Sequence, residues 1–239
     1  QAVEHALAVR RGRIGDAVLA TPMIKAISNE IPGAEIYLLV SLRSLPVFDD
    51  NPRIKKIFLY KKSLLQIFRL IIRLRMIKFD YWIDPKDHYS RTSALLAKIC
   101  KATIKVGFNR NKKVVFDIGI SSDGENFEKT ALERNLEVLQ KAKLISSANY
   151  TLELFTSPYL EIEIKKDIAS WVNKTILFNI SAGHISRYWE VNKWAALATF
   201  CNSLSYRTVI VFKPQDIGMA KKIHQLQPGV ILFPTQSIK

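Results

Sequence analysis

Hydrophobic and polar positions along this chain alternate between two patterns: short continuous apolar runs and longer stretches with helical spacing. The runs at 5–10, 35–40, 56–60, 80–84, 103–108 and 114–120 read as strands. The run at 35–40 (EIYLLV) is apolar almost throughout, the sign of a strand buried on both faces. Helices are predicted between them at 21–31, 62–78, 91–101 and 128–143. Thr21-Pro22 reads as an N-cap followed by Pro at the first helical position, and Pro32-Gly33 as the stop. In 62–78, Lys62, Gln66, Arg69 and Arg73 make one polar stripe. Leu64, Leu65, Phe68, Ile71 and Ile72 fill much of the remainder. Residues 145–160, where Ser, Asn, Thr and Pro concentrate, read as a crossover. The rhythm then restarts with a helix at 161–171, a strand at 175–180, a helix at 192–204, a strand at 207–212, a helix at 215–226 and a strand at 230–233.

This alternation predicts the α/β class, with parallel sheets and right-handed crossovers. Two Rossmann-like domains facing each other are expected, over residues 1–150 and 151–239. The second has only three predicted strands and reads as incomplete.

Charge narrows the partners. Lys and Arg outnumber Asp and Glu by 36 to 21, a formal charge of +15, which calls for an anionic partner. A phosphorylated substrate or an anionic membrane face fits. No nucleic-acid motif accompanies the charge, so a nucleic-acid partner is not expected. The basic helix at 62–78 reads either as a solvated face or as a surface for an anionic membrane. No run reaches the roughly 18 uncharged apolar residues of a membrane span, and residues 1–9 lack the apolar stretch of a signal peptide. Cys100 and Cys201 lie far apart on predicted helices and read as buried free thiols of a reducing compartment. His5, His88, His184 and His224 are scattered, without a metal-ligand spacing, and no metal site is expected.

Three strand-to-helix turns hold the candidate chemistry. The first is Arg10-Arg-Gly-Arg-Ile-Gly-Asp16, after the first strand. In open α/β sheets such turns lie at the carboxyl ends of strands, where ligands bind. Gly12 and Gly15 allow positive φ or a close backbone approach. Asp16 is the turn's single acid and reads either as a helix N-cap or as the acceptor of a proton from a substrate hydroxyl. The pattern is neither GxGxxG nor a P-loop. The second turn is Ser181-Ala-Gly-His-Ile-Ser-Arg-Tyr-Trp189. There Ser181, Gly183 and Arg187 can meet a phosphate, or the segment is an ordinary loop with Trp189 packed on the core. The third is Asp84-Pro-Lys-Asp-His-Tyr-Ser-Arg91. Asp87 or Ser90 can cap the following helix, while Lys86, His88 and Arg91 can meet an anionic acceptor.

Taken together, these turns resemble glycosyltransferase family 9, the ADP-heptose:lipopolysaccharide heptosyltransferases. Arg10–Asp16 with Leu19-Ala-Thr-Pro22 is similar to the family's opening Arg-x-Gly-x-(Ile/Leu)-Gly-Asp and its following Leu-x-Thr-x-Pro-like run. Tyr81-Trp-Ile-Asp84, the helix at 91–101 with Lys105-Val-Gly-Phe108, and Ala131-Leu-Glu-Arg-Asn135 resemble later family segments. Ser181-Ala-Gly183 with Arg187-Tyr-Trp189 resembles its Pro-Gly-Ala…Lys-x-Trp-Pro loop.

The resemblance implies a GT-B fold and inverting, metal-independent transfer of a heptose from ADP-heptose to the inner core of lipopolysaccharide. No cofactor is implied beyond the nucleotide-sugar donor. It assigns Asp16 as general base, a role then favoured over the cap. Arg13, Gly15, Lys86, His88 and Arg91 are implied on the acceptor side, and Ser181, Gly183 and Arg187 on the donor phosphates. Lipid A with its inner core is the implied acceptor, reached by peripheral contact at the cytoplasmic face of the bacterial inner membrane. Arg187 stands where the family has lysine, and Glu190 where it has proline. Lys193 is a second candidate for the phosphate. The family's Asp-x-Gly-x-x-His-Leu-Ala-Ala segment, expected soon after Thr235, does not occur before Lys239. A family member using another nucleotide sugar, and a non-catalytic binder of nucleotide sugar or anionic lipid, are the competing readings.

Overall fold

The computed structural model describes residues 3–10, 14–86, 89–109, 115–120, 129–147, 149–156 and 174–235. The predicted helix at 161–171 lies outside them. The chain divides into two units, Gln1–Phe155 and Thr156–Lys239.

The first unit is built on six parallel strands: β1 (His5–Arg10), β2 (Glu35–Ser41), β3 (Ile54–Tyr60), β4 (Phe79–Ile83), β5 (Ala102–Phe108) and β6 (Ile118–Ile120). Their order is β3-β2-β1-β4-β5-β6, that of the doubly wound nucleotide-binding sheet. Successive side chains of a strand face opposite ways. Ala6 and Ala8 of β1 therefore join one core layer with Ile24, Ile27, Leu136 and Leu139, while Leu7 and Val9 join the other with Leu74, Trp82 and Leu96. Both faces are covered, which explains the continuous apolar runs of the central strands.

Among the described residues of the unit, the α-helices are α1 (Ile14–Val18), α2 (Thr21–Glu30), α3 (Leu64–Arg75), α4 (Arg91–Ile99) and α5 (Ala131–Lys141). Helix α5 starts with a capping box, Thr130 and Glu133 bonding each other's backbone amides. Thr21 is not the cap of α2. Helix α1 runs up to the start of α2, so Ala20 occupies the cap position and Thr21 is already helical. The Thr21 hydroxyl donates back to the Val18 carbonyl (2.8 Å). Gly33, at φ +87°, supplies the left-handed third residue of the turn Ile31–Ala34 that follows the helix. A 3-10 turn at Leu42–Val47, containing Pro46, follows β2 without having been anticipated.

The core side of α3 is Leu70 and Leu74, with Ile67 and Ile71 half-buried. Leu64, Leu65, Phe68 and Ile72 face outward instead. The helix is apolar around most of its circumference, and the sheet covers only one side. Cys100 and Cys201 are both buried and unbridged. Burial pushes the Cys100 thiol up to about 12.

Glu30, the last residue of α2, ties down the segment that leads out of the unit. Its carboxylate accepts from the Ser146 hydroxyl (2.7 Å) and amide (2.6 Å), the Tyr150 hydroxyl (2.8 Å) and the Ser147 amide (3.3 Å). These donors, the Ser146 hydroxyl foremost, bring its pKa from 4.5 down to about 2. A carboxyl with a lower pKa folded than unfolded stabilises the fold above its unfolded value and loses that contribution as pH falls through the folded one. The window here runs from 4.5 down to about 2. Glu30→Gln is expected to lower the melting temperature at neutral pH, with a deficit that shrinks across that window. A deficit that stays constant down to the acid end would refute the linkage.

Among its described residues the second unit has three parallel strands, β7 (Thr175–Asn179), β8 (Arg207–Phe212) and β9 (Ile231–Pro234), in the order β7-β8-β9. Helices α6 (Val191–Ser203) and α7 (Ile217–Leu226) pack on it through Ala198, Cys201, Ala220 and Ile223.

Candidate active site

Strand order reverses between β1 and β4, which pair in register from Ala6–Tyr81 to Ala8–Ile83. Connections leaving these two strands diverge to opposite sides, which opens a crevice at their carboxyl ends. The Arg10–Asp16 and Asp84–Arg91 turns start from those two ends. Two loops about seventy residues apart in sequence are thus neighbours through the sheet.

Asp16 lies half-buried in the first turn of α1, as its third residue, and so is not at the cap position. An acid in that turn is favoured by the helix dipole. Helix α1 is held from behind. Ala17 is fully buried, and the buried Asn135 of α5 donates its side-chain amide to the Leu19 carbonyl (2.8 Å). Thr21 closes the same joint and accepts from the Glu153 amide (3.2 Å). Gly15 is exposed within the helix, so positive φ is not its purpose; a Cβ there would meet open space. The backbone beside Asp16 is therefore open to close approach. Gly12 and Arg13 lie outside the described residues.

In the second loop, Asp84 continues β4 by donating its amide to the Val106 carbonyl (2.9 Å). Its carboxylate is buried, accepts the Ser93 hydroxyl of α4, and sits 3.4 Å from the Lys86 amide. Ser90 is the cap of α4, accepting from the Ser93 amide. Lys86 is half-buried, and Arg91 is exposed at the first position of α4. Asp87 and His88 lie outside the described residues.

The Ser181–Trp189 loop belongs to the second unit and leaves the carboxyl end of β7. Its organising residue is Asp216, which follows the neighbouring strand β8. Asp216 accepts from the Ser181 hydroxyl (2.5 Å) and the Tyr188 hydroxyl (2.9 Å). The Ser181 oxygen in turn accepts from the Lys213 amide (2.8 Å). The Ser181 proton thus points to Asp216 and not outward, so this hydroxyl shapes the loop. Gly183 and Arg187 are exposed. His184 accepts from the Ser186 amide (3.3 Å) and so orders the short turn Ile185–Arg187. Trp189 is half-exposed, its ring edge-on to Trp194 at 5.0 Å, so it sits on the rim instead of closing the core. Lys193 pairs with Glu190 (2.8 Å).

Asp216 and Asn135 were not singled out from the sequence as site residues. The available signal for Asp216 was its place after a strand adjacent to β7. Asp216→Ala removes the acceptor of two hydroxyls and is expected to destabilise the second unit by about 1–2 kcal/mol. Urea unfolding followed by tryptophan fluorescence reads this, since Trp171, Trp189 and Trp194 all lie in that unit. An unchanged midpoint would show that the clamp contributes nothing.

The sequence model of glycosyltransferase family 9 (heptosyltransferase) matches residues 67–239. The chain is 22% identical over 227 residues to a lipopolysaccharide heptosyltransferase 3 of Escherichia coli, covering 88% of this chain and 65% of that protein. Its counterpart in strain K12 is 20% identical over 216 residues, covering 86% of this chain and 62% of that protein. The chain therefore spans somewhat less than two thirds of the curated relatives it matches. Among solved structures, a family 9 glycosyltransferase of Veillonella parvula superposes with a TM-score of 0.77 at 17% identity, covering 98% of this chain and 69% of that one. Heptosyltransferase WaaC of E. coli, solved with ADP-2-deoxy-2-fluoro heptose, gives 0.71 at 15% identity over 98% and 77%. The parallel sheets of both units agree with the GT-B glycosyltransferases these neighbours represent, and the chain belongs to glycosyltransferase family 9.

Proposed function

We propose that the protein is a heptosyltransferase that moves a heptose from ADP-heptose to the inner core of lipopolysaccharide, inverting the anomeric carbon. One observation carries this reading. In a family 9 chain, Asp16 stands half-buried at the carboxyl end of β1, where strand order reverses, beside an open backbone at Gly15. The acceptor hydroxyl oxygen bonds to the anomeric carbon while the bond from that carbon to the diphosphate breaks. ADP leaves with the bonding pair, and Asp16 takes the hydroxyl proton.

Negative charge grows on the departing diphosphate, and the reading assigns its compensation to Arg187, not to a metal. Its planar guanidinium can bind phosphate with two parallel hydrogen bonds. The Gly183 backbone is open to the same group, and Ser181 acts by holding the loop. Arg13, Lys86, His88 and Arg91 serve the anionic acceptor in this reading. The protein works at the cytoplasmic face of the inner membrane, in peripheral contact with it.

A second reading keeps the family and changes the sugar. Arg187 in place of lysine and Glu190 in place of proline alter the donor loop itself. The assay is ADP formation from ADP-heptose with and without a heptose-deficient lipopolysaccharide acceptor. Acceptor-dependent ADP is expected. ADP formation that ignores the acceptor, or occurs only with another nucleotide sugar, would overturn the proposal.

A further inference from the structure

The outward side of α3 is apolar. Leu64, Phe68, Ile72 and Met76 follow one another at intervals of four, with Leu65 beside them, and so form a ridge along one face. Phe68 is 61% exposed, Leu65 56%, Ile72 46% and Met76 80%. Scattered single apolar residues on a surface need no explanation, but a contiguous ridge marks a contact.

The charge around this ridge is of one sign. Residues 51–79 contain nine Lys and Arg and no Asp or Glu. Helical spacing sets Arg69 and Arg73 along one flank of the ridge. Between them and β3 lies a cavity of about 180 Å³, lined by Lys56, Lys61, Gln66, Arg69 and Arg73 with no carboxylate among its lining residues. Four cations around one small cavity next to five exposed apolar side chains match a surface of phosphates above hydrocarbon. A second copy of this chain would bring the same cations against each other.

We propose that α3 is the element by which the protein lies on an anionic lipid bilayer. Leu65, Phe68, Ile72 and Met76 enter the boundary of the acyl chains, and the cavity beside Arg69 and Arg73 receives a lipid phosphate. Among the described residues no helix is long and apolar enough to cross a membrane, and the 12 residues of α3 suit a helix lying in the interface. This deepens the peripheral-membrane part of the proposed function and is independent of which sugar is moved.

The test is co-sedimentation of the 239-residue chain with vesicles of phosphatidylcholine alone or mixed with phosphatidylglycerol. These vesicles contain no sugar acceptor. A chain that binds them without transferring sugar keeps this inference and loses the transferase; one that transfers to a soluble acceptor without binding does the reverse. Binding to the anionic vesicles alone is expected. It should fall about tenfold or more in the double variant Phe68→Ser, Ile72→Ser, and likewise in Arg69→Glu, Arg73→Glu. All four side chains are exposed, so circular dichroism and melting temperature should not change. The difference in emission between a Phe68→Trp chain, which keeps an apolar ridge, and the parent with its four tryptophans should shift to the blue on adding anionic vesicles. Equal binding to phosphatidylcholine, undiminished binding by either double variant, or an absent blue shift would overturn the proposal. So would a ridge-dependent dimer without vesicle binding.

Discussion

Replacing Asp16 by asparagine is expected to slow sugar transfer by about a hundred- to ten-thousandfold while leaving the fold and donor binding nearly intact. Asparagine keeps the size of the side chain but cannot take the proton that the acceptor hydroxyl releases. Asp16 sits in the first turn of α1, where losing a negative charge costs about 0.3–1 kcal/mol. The clamps that hold α1, Asn135 to Leu19 and Thr21 to Val18, do not involve its carboxylate. A helix-terminus role and a proton-accepting role therefore predict different magnitudes in different measurements. Initial rates of acceptor-dependent ADP release, set beside melting temperature and donor affinity, separate them. A rate within tenfold of the parent would remove Asp16 from the chemistry.

The second large effect concerns stability. Trp82→Ala is expected to destabilise the first unit by about 3–5 kcal/mol. Trp82 is fully buried on β4, in the layer that also contains Leu7, Val9, Phe79 and Leu96, and β4 pairs with β1 beneath the site. Its indole N–H has no hydrogen-bond partner among the described residues. Trp82→Phe removes that unpaired donor and leaves a smaller void, so its loss should be clearly smaller. Circular dichroism in urea measures both. Tryptophan emission does not serve here, since Trp82 is the single tryptophan of residues 1–155. Equal losses for the two variants would mean that the cavity is not what costs stability.

The sheet was legible because its central strands are covered on both faces. That makes 6–9 and 36–40 uninterrupted apolar runs which no solvent-facing element would carry. Helices with one clear apolar stripe were legible for the same reason, α5 among them. Helix α1 was not: five residues make little more than one turn, too few for a period to show. Its presence also explains the misplaced Thr21 cap. Which side of α3 is buried was not legible, because Leu64, Leu65, Phe68, Ile71 and Ile72 follow helical spacing yet exceed what one side of a helix can bury. Burial is decided by where β3 lies, which periodicity does not encode.

The candidate loops of each unit were legible, and the joints that hold them were not. Asp16, Lys86 and Arg187 follow strands, and a strand-to-helix turn can be read locally. The partners that hold those loops come from elsewhere in the chain: Asn135 lies 116 residues from Leu19, and Asp216 lies 35 from Ser181. Such bonds follow from strand order, which a single sequence leaves open until the family resemblance suggests it.

The central place of β1 also bears on how the chain is made. During synthesis β1 acquires one neighbour once Val40 has emerged and the other only after Ile83. The parallel β1–α2–β2 unit can form first, but the crevice beside Asp16 cannot exist until β4 has also been synthesised. Closing long loops slows the pairing of parallel strands. The turn proposed to do the chemistry is thus made before either strand that flanks β1, and it acquires its surroundings only with the later of the two.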